Sequence, residues 1–258
     1  MATQLLCTEL DVIDLAPQLY QSGEANEYPV KSLAQIRSII LTTDGQIRSA
    51  LRQLYGSTLT ITPYAASPEA KSTNTGTGVL SDATIGTSAI TELWTITFSS
   101  TTAFSVSGAL SGSQGSGTTS AAFTSTNGYL AIPTANWSGT PASNDKFYVR
   151  VYAVEAMLID CSRHLAAAVV LQAEYTEQSP NASSAADRYI AYVWGQGATR
   201  DTPRIIGLLQ RLMDPSSGLE LSVGISARNL DPVQVDWEIS DTGEDVTNYA
   251  EKAWDAVG

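Results

Sequence analysis

The sequence predicts an α+β chain: a helical bundle core, an inserted antiparallel β module resembling a sandwich or barrel, and an extended acidic C-terminal arm. Three observations predict it. Apolar residues recur at helical spacing before about residue 56 and again after Tyr152. Between Thr75 and Phe147 they alternate with polar residues instead, and about half of that stretch is Ser, Thr or Gly. From Glu220 to Gly258, nine acidic residues stand against only Arg228 and Lys252.

The first element is "TELDVIDLAPQLY", residues 8–20. Thr8 and Asp11 have capping-box spacing, with Asp in place of the usual Glu or Gln. Leu10, Ile13 and Leu15 would face inward on a short helix that Pro17 ends or re-aims. Residues 32–55 follow, with Leu33, Ile36, Ile40, Ile47, Leu51 and Leu54 on one stripe and Arg37, Arg48 and Arg52 off it. Ser32 can cap the start and Gly56 the end. Thr43-Asp44-Gly45 is a weak point that would split this segment into two helices.

In the middle stretch, "LWTITF" puts Trp94, Ile96 and Phe98 on one face and Thr95 and Thr97 on the other. "AFSVSG" turns Phe104 and Val106 one way. "KFYVRVYA" alternates Phe147, Val149 and Val151 with Tyr148, Arg150 and Tyr152. Tyr129 and Ile132 mark a further strand. These read as half-buried antiparallel strands, with glycine clusters as turns. "GSQGSG" from Gly112 is read as a hairpin turn; it lacks the lysine and the strand-loop-helix context of a phosphate loop.

Helical spacing returns with Val154, Met157, Leu158, Cys161, Leu165, Ala168 and Val169. "QSPNASS" is a predicted loop, and "AADRYIAYVWG" a short helix with Tyr189, Ile190, Val193 and Trp194 on its apolar side. Thr202-Pro203 opens a last helix carrying Ile205, Ile206, Leu209 and Leu212, which Asp214-Pro215 stops. The arm is predicted to be extended, with a terminal helix in "VTNYAEKAWDAV" and with Trp237, Tyr249 and Trp254 as isolated aromatic anchors. The expected organisation is a discontinuous helical core (1–72 and 151–224), an inserted β domain (73–150) and the arm (225–258).

Composition narrows the function. With 43% apolar residues in 258, the chain can bury a core. A net charge of -12 repels phosphate backbones, so no sequence-specific nucleic-acid binding is expected. Cys7 and Cys161 are far apart beside apolar residues and read as two reduced, buried thiols. No run approaches the roughly 20 apolar residues of a membrane helix. Residues 1–7 lack a basic region and a long apolar run, so no signal peptide is expected. The single histidine, His164, reads as structural, and with Cys161 one turn away it lacks a second ligand pair for zinc. "DTGEDVT" lacks the spacing of a calcium loop. No catalytic, cofactor-binding or metal site is expected, and the chain is not read as an enzyme.

Four segments together resemble the head–tail adaptor (head-completion, connector) proteins of tailed bacteriophages. They are "CTELDVIDLAPQLY", "IRSIILTTDGQIRSALRQLYG", "LIDCSRHLAAAVVLQAEYT" and "PRIIGLLQRLMDPSSGLELSVG". The resemblance covers roughly residues 5–60 and 153–224, not the β module, which is similar to β segments of phage virion and tail proteins. It implies a structural virion protein of the neck, made in the host cytoplasm. It also implies a ring of about twelve copies beneath the portal protein, facing a stopper or tail-terminator protein and surrounding the DNA exit channel. Trp237, Tyr249 and Trp254 would then be portal-docking residues. The alternative is a β-rich carbohydrate- or receptor-binding module, with Tyr129, Trp137 and Tyr148 as a sugar platform.

Overall fold

The computed structural model describes residues 4–16, 32–55, 59–175, 180–196 and 206–213. Two helices come first, α1 (Glu9–Leu15) and α2 (Leu33–Tyr55). Eleven strands follow: β1 (Tyr64–Ala65), β2 (Glu69–Ala70), β3 (Val79–Leu80), β4 (Thr84–Ile85), β5 (Glu92–Phe98), β6 (Ala103–Gly108), β7 (Gly112–Thr118), β8 (Phe123–Thr124), β9 (Leu130–Ile132), β10 (Trp137–Ser138) and β11 (Lys146–Tyr152). The helices α3 (Ala156–Tyr175), α4 (Pro180–Trp194) and α5 (Leu208–Met213) complete the described chain. The class is α+β. Contacts divide the chain into 1–224 and 225–258, and the second unit lies outside the described residues.

Helix α2 does not break at Thr43-Asp44-Gly45. Thr43 Oγ1 bonds back to the Ile39 and Ile40 carbonyls, and Asp44 is drawn into bonds outside its helix. One mid-helix glycine costs about 1 kcal/mol. Burial of Ile36, Ile40, Ile47 and Leu51 on both sides of the glycine outweighs that cost. At the start, the Gln35 amide N–H donates to Ser32 Oγ at 3.3 Å, and Gln35 Oε1 accepts the Ser32 amide at 2.8 Å. The cap is therefore reciprocal.

The main sheet is antiparallel, in the order β1-β11-β5-β6-β7, with β2 also on β11. It reaches back past residue 73, the expected start of the β module, because β1 and β2 both pair with β11. The first and last strands are thus neighbours, with Tyr64 opposite Tyr152. Two small sheets, β4-β9-β8 and β10-β3, supply Phe123, Leu130, Ile132 and Leu80 to the same core as Trp94, Ile96, Phe98, Phe104 and Phe147. "GSQGSGT" is not a turn but the edge strand β7, which shifts register against β6 between Ser105 and Ser107. Its buried Gln114 donates to the Ser111 carbonyl at 2.8 Å and accepts the Asn127 amide at 3.1 Å. Those side-chain bonds anchor a strand that has little apolar surface to bury.

The second sheet face is not left to solvent along its whole length. Leu93 and Tyr148 pack with Leu5, Leu10, Val12, Ile36 and Ile40 of the helical side. Helix α3 packs on α1, α2, α4 and α5. Leu158, Cys161 and Leu165 share a cluster with Ile47, Leu51, Val193, Leu209 and Leu212. The alanine run Ala166–Ala168 is fully buried, which permits this close packing on several sides. Two stripe assignments are corrected: Val169 is 36% and Ile206 50% exposed. Val170 and Leu171 are buried in place of Val169. Part of "QSPNASS" is helical, since α4 begins at Pro180, and proline is favoured in a first turn. Leu54 as a side chain, Gly56, Pro17, Thr202, Pro203, Ile205 and Asp214-Pro215 lie outside the described residues.

Candidate functional site: a carboxylate clasp between helices and sheet

Asp11 sits at the third position of α1, where the Thr8 cap aims it back at the helix start. Its Oδ2 accepts the Thr8 amide at 2.7 Å and the Thr8 hydroxyl at 2.8 Å. Its Oδ1 faces β11, where Arg150 and Tyr152 lie two residues apart and so share a face. Arg150 donates to Asp11 Oδ1 at 2.8 Å, and Tyr152 Oη donates to the same atom at 2.7 Å. Asp14, one turn along α1, takes the same Arg150 nitrogen at 2.6 Å, and Glu69 of β2 takes the other at 2.8 Å. Burial works against the Arg150 charge, but its bonds to Asp14, Glu69 and Asp11 outweigh burial and hold the guanidinium above its usual pKa. Burial, and then the Asp11 charge, push the Tyr152 phenol up, so it stays a donor.

A second pair stands beside the first. Arg37 of α2 donates through Nε to the fully buried Glu9 and through a terminal nitrogen to the Ala109 carbonyl. Burial raises the Glu9 carboxyl, and the bond to Arg37 opposes that rise. Glu92 of β5 accepts the amides of Leu110 and Ser111 in the same β6–β7 loop at 2.9 and 3.0 Å. Together these contacts fix the β6–β7 loop to α2 and to β5.

A third group lies between α2 and α3. Asp44 accepts the Leu6 amide at 2.7 Å and the Ser162 hydroxyl at 2.5 Å, and Ser162 Oγ is 3.1 Å from Cys7 Sγ. Burial pushes the Asp44 carboxyl up to about 6 and the Cys161 thiol up to about 12. Burial, then the charges of Asp44 and Asp11, raise the Cys7 thiol. Both cysteines are unbridged and buried.

This chemistry is positional. Ser162 and Cys7 are fully buried, and protonated thiols out of reach of solvent are not nucleophiles. His164 cannot serve Ser162: its Nδ1 bonds the Asp160 carbonyl at 2.8 Å, and its ring lies against Tyr189 and Tyr192. Burial lowers its pKa. Among the described residues no three His, Cys, Asp or Glu side chains cluster as a metal site, and no helix is long and apolar enough to cross a membrane.

The predicted docking residues Trp237, Tyr249 and Trp254 lie outside the described residues, as does "DTGEDVT". The sugar platform does not form. Trp137 packs edge-on against Phe98 and Phe147 in the β core, which Tyr129 also flanks, whereas Tyr148 joins the opposite, helical side. The clasp was missed by sequence reasoning. Its available signal was an acidic third helix position together with Arg and Tyr on the otherwise polar face of a strand.

No family model and no curated protein matches the chain. Two crystal structures of Xanthomonas campestris FlgL are similar to it at 15% identity, one in space group H3 and one in C2. The first covers 70% of this chain and 74% of its own, with a TM-score of 0.26. The second covers 70% and 73%, with a TM-score of 0.28. Likeness at that level carries no argument about fold or function.

Proposed function

We propose that this chain is a structural head–tail adaptor of a tailed-phage virion. It forms a ring between the portal protein and a stopper or tail-terminator protein, around the DNA exit channel. The observation that supports this reading is the way the β strands interrupt the helical side. Residues before β1 and after β11 share clusters, Leu6, Ile47 and Leu51 with Leu158, Cys161 and Leu165. The β strands between them keep an aromatic core of their own, and their ends meet at the Tyr64–Tyr152 pair. Such an arrangement suits a helical body that resembles the adaptors and carries an added module, because an insertion is tolerated where its two ends lie close together. Buried carboxylates, hydroxyls and thiols that only hold elements together also fit a structural role better than an enzymatic one.

In this reading the helices build the ring wall, and the arm with Trp237, Tyr249 and Trp254 docks on the portal. The net charge of -12 keeps passing DNA from adhering. The experiment is negative-stain microscopy and light scattering of the chain, alone and mixed with the portal protein of the same virion. Rings or portal-bound assemblies are expected, and truncation before Leu230 should abolish portal binding while the helical circular dichroism remains. A monomer that ignores the portal and binds glycans would overturn the reading.

A further inference from the structure

Residues Gln4–Thr8 form a strap, neither helix nor strand, between α2 and α3. Leu5, Leu6 and Cys7 are fully buried; Leu6 packs on Ile47 and Leu158, and Leu5 joins Ile36 and Ile40. Side chains hold its backbone. The Leu6 amide donates to Asp44 at 2.7 Å, and Arg48 donates to the Gln4 carbonyl at 2.8 Å. Asp44 lies at the centre, 1% exposed, and among the described residues it has no direct ion pair; Arg48, which donates to Gln4, acts on it only through its charge. A carboxylate buried in such a place without a direct ion pair is costly as an anion.

We propose that Asp44 is a proton-controlled latch: neutral, it fastens the Gln4–Thr8 strap between α2 and α3, and its ionisation loosens the strap. Burial favours the neutral form, and the hydrogen bonds can accommodate it. Ser162 Oγ has two partners, Asp44 at 2.5 Å and Cys7 at 3.1 Å. A protonated Asp44 Oδ1 donates to Ser162 Oγ, whose own proton reaches Cys7 Sγ, while Oδ2 still accepts the Leu6 amide. Ionised Asp44 instead accepts from the Ser162 hydroxyl, whose oxygen can accept from the Cys7 thiol, and its negative charge is sealed from water. Opening the strap hydrates that charge.

The other charged and titratable groups around the site are few. Arg48 of α2 favours the anion, and burial lowers its own pKa. Cys7 is on the strap, with Glu9 and Asp11 of α1 acting on it. Helix α3 presents the neutral Ser162, while its Asp160, Arg163 and His164 engage one another and α4. Burial lifts the carboxyl from 3.8 to about 6, against the bonds from Ser162 and Leu6. An opened strap returns it to the lower value, so opening should become about tenfold more favourable between pH 5 and pH 7.

The test is amide hydrogen exchange on the full chain at pH 5 and pH 7, corrected for intrinsic exchange. The Leu6 protection factor is expected to fall about tenfold at pH 7 while amides of Ile47 in α2 hold theirs. Asp44→Asn should abolish the fall and Glu9→Gln should keep it. Carbon-13 titration of the wild-type Asp44 carboxyl reports directly, whether or not the variant folds, and is expected near pH 6. Equal protection at both pH values would overturn the latch. So would an equal loss in α2, a fall that survives Asp44→Asn, or titration below pH 5.

Discussion

Tyr152 and Asp11 are joined by a 2.7 Å hydrogen bond that ties β11 to α1, across 141 positions of sequence. Arg150 reaches the same Asp11 oxygen, so one buried carboxylate oxygen carries two contacts from the sheet. Removing the Arg150 charge leaves Asp11 buried beside Asp14 and Glu69 with no cation among them. Arg150→Leu is expected to cost about 3–5 kcal/mol in urea unfolding. Arg150→Lys should recover only part of that, because one ammonium cannot span Asp11 and Glu69 as the fork does.

Asp145 gives a pH signature of its own. Its carboxylate accepts the amides of Thr75 and Ala142 at 2.8 Å and of Gly76 at 3.0 Å. Burial pushes the carboxyl up, but the three amides outweigh it and hold it below 3.8. A depressed folded pKa contributes stability above the unfolded value, and that stability is lost as pH falls through the folded one. Denaturant unfolding of Asp145→Asn should therefore differ most from wild type at pH 7, with the gap closing below about pH 4.

Two glycines should respond in opposite directions. Gly45 lies inside α2, and a Cβ there meets nothing within 4 Å. Gly45→Ala is expected to stabilise by about 0.5–1 kcal/mol. Gly139 has φ +66, and a Cβ would stand 2.1 Å from the Thr77 carbonyl oxygen. Gly139→Ala is expected to destabilise by more than about 1–2 kcal/mol, the left-handed penalty alone. Thermal melts of both variants check the signs.

Phe98 is 1% exposed and rings with Phe104, Trp137 and Phe147 at 5.2–5.7 Å. Phe98→Ala should cost about 3–5 kcal/mol in denaturant unfolding. Near-ultraviolet dichroism from Trp137 should weaken with it.

Much of the element pattern was legible because burial writes a period into sequence. Trp94, Ile96 and Phe98 alternate and are buried; Ile36, Ile40, Ile47 and Leu51 step helically and are buried. Where local rules failed, a distant partner had intervened. Asp44 looked like a helix breaker because its bonds to Leu6 and Ser162 are 38 and 118 residues away. Gly112–Thr118 looked like a turn because glycine and serine prefer turns, yet pairing with β6 and the hold on Gln114 made it a strand.

The α+β class, the succession of helices, strands and helices, and the inward faces of β5, β6 and β11 were legible in the residues alone, since these depend on neighbours a few residues apart; the two-residue strands and β7 were not. The covering of the second sheet face at Leu93 and Tyr148 emerged only on folding. The same is true of the gathering of Asp11, Asp14 and Glu69 on Arg150, and of Asp44 as the fastening of the first strap. Those outcomes depend on charges and hydrogen bonds from remote segments meeting out of water, where an unpaired group costs enough to select its partner.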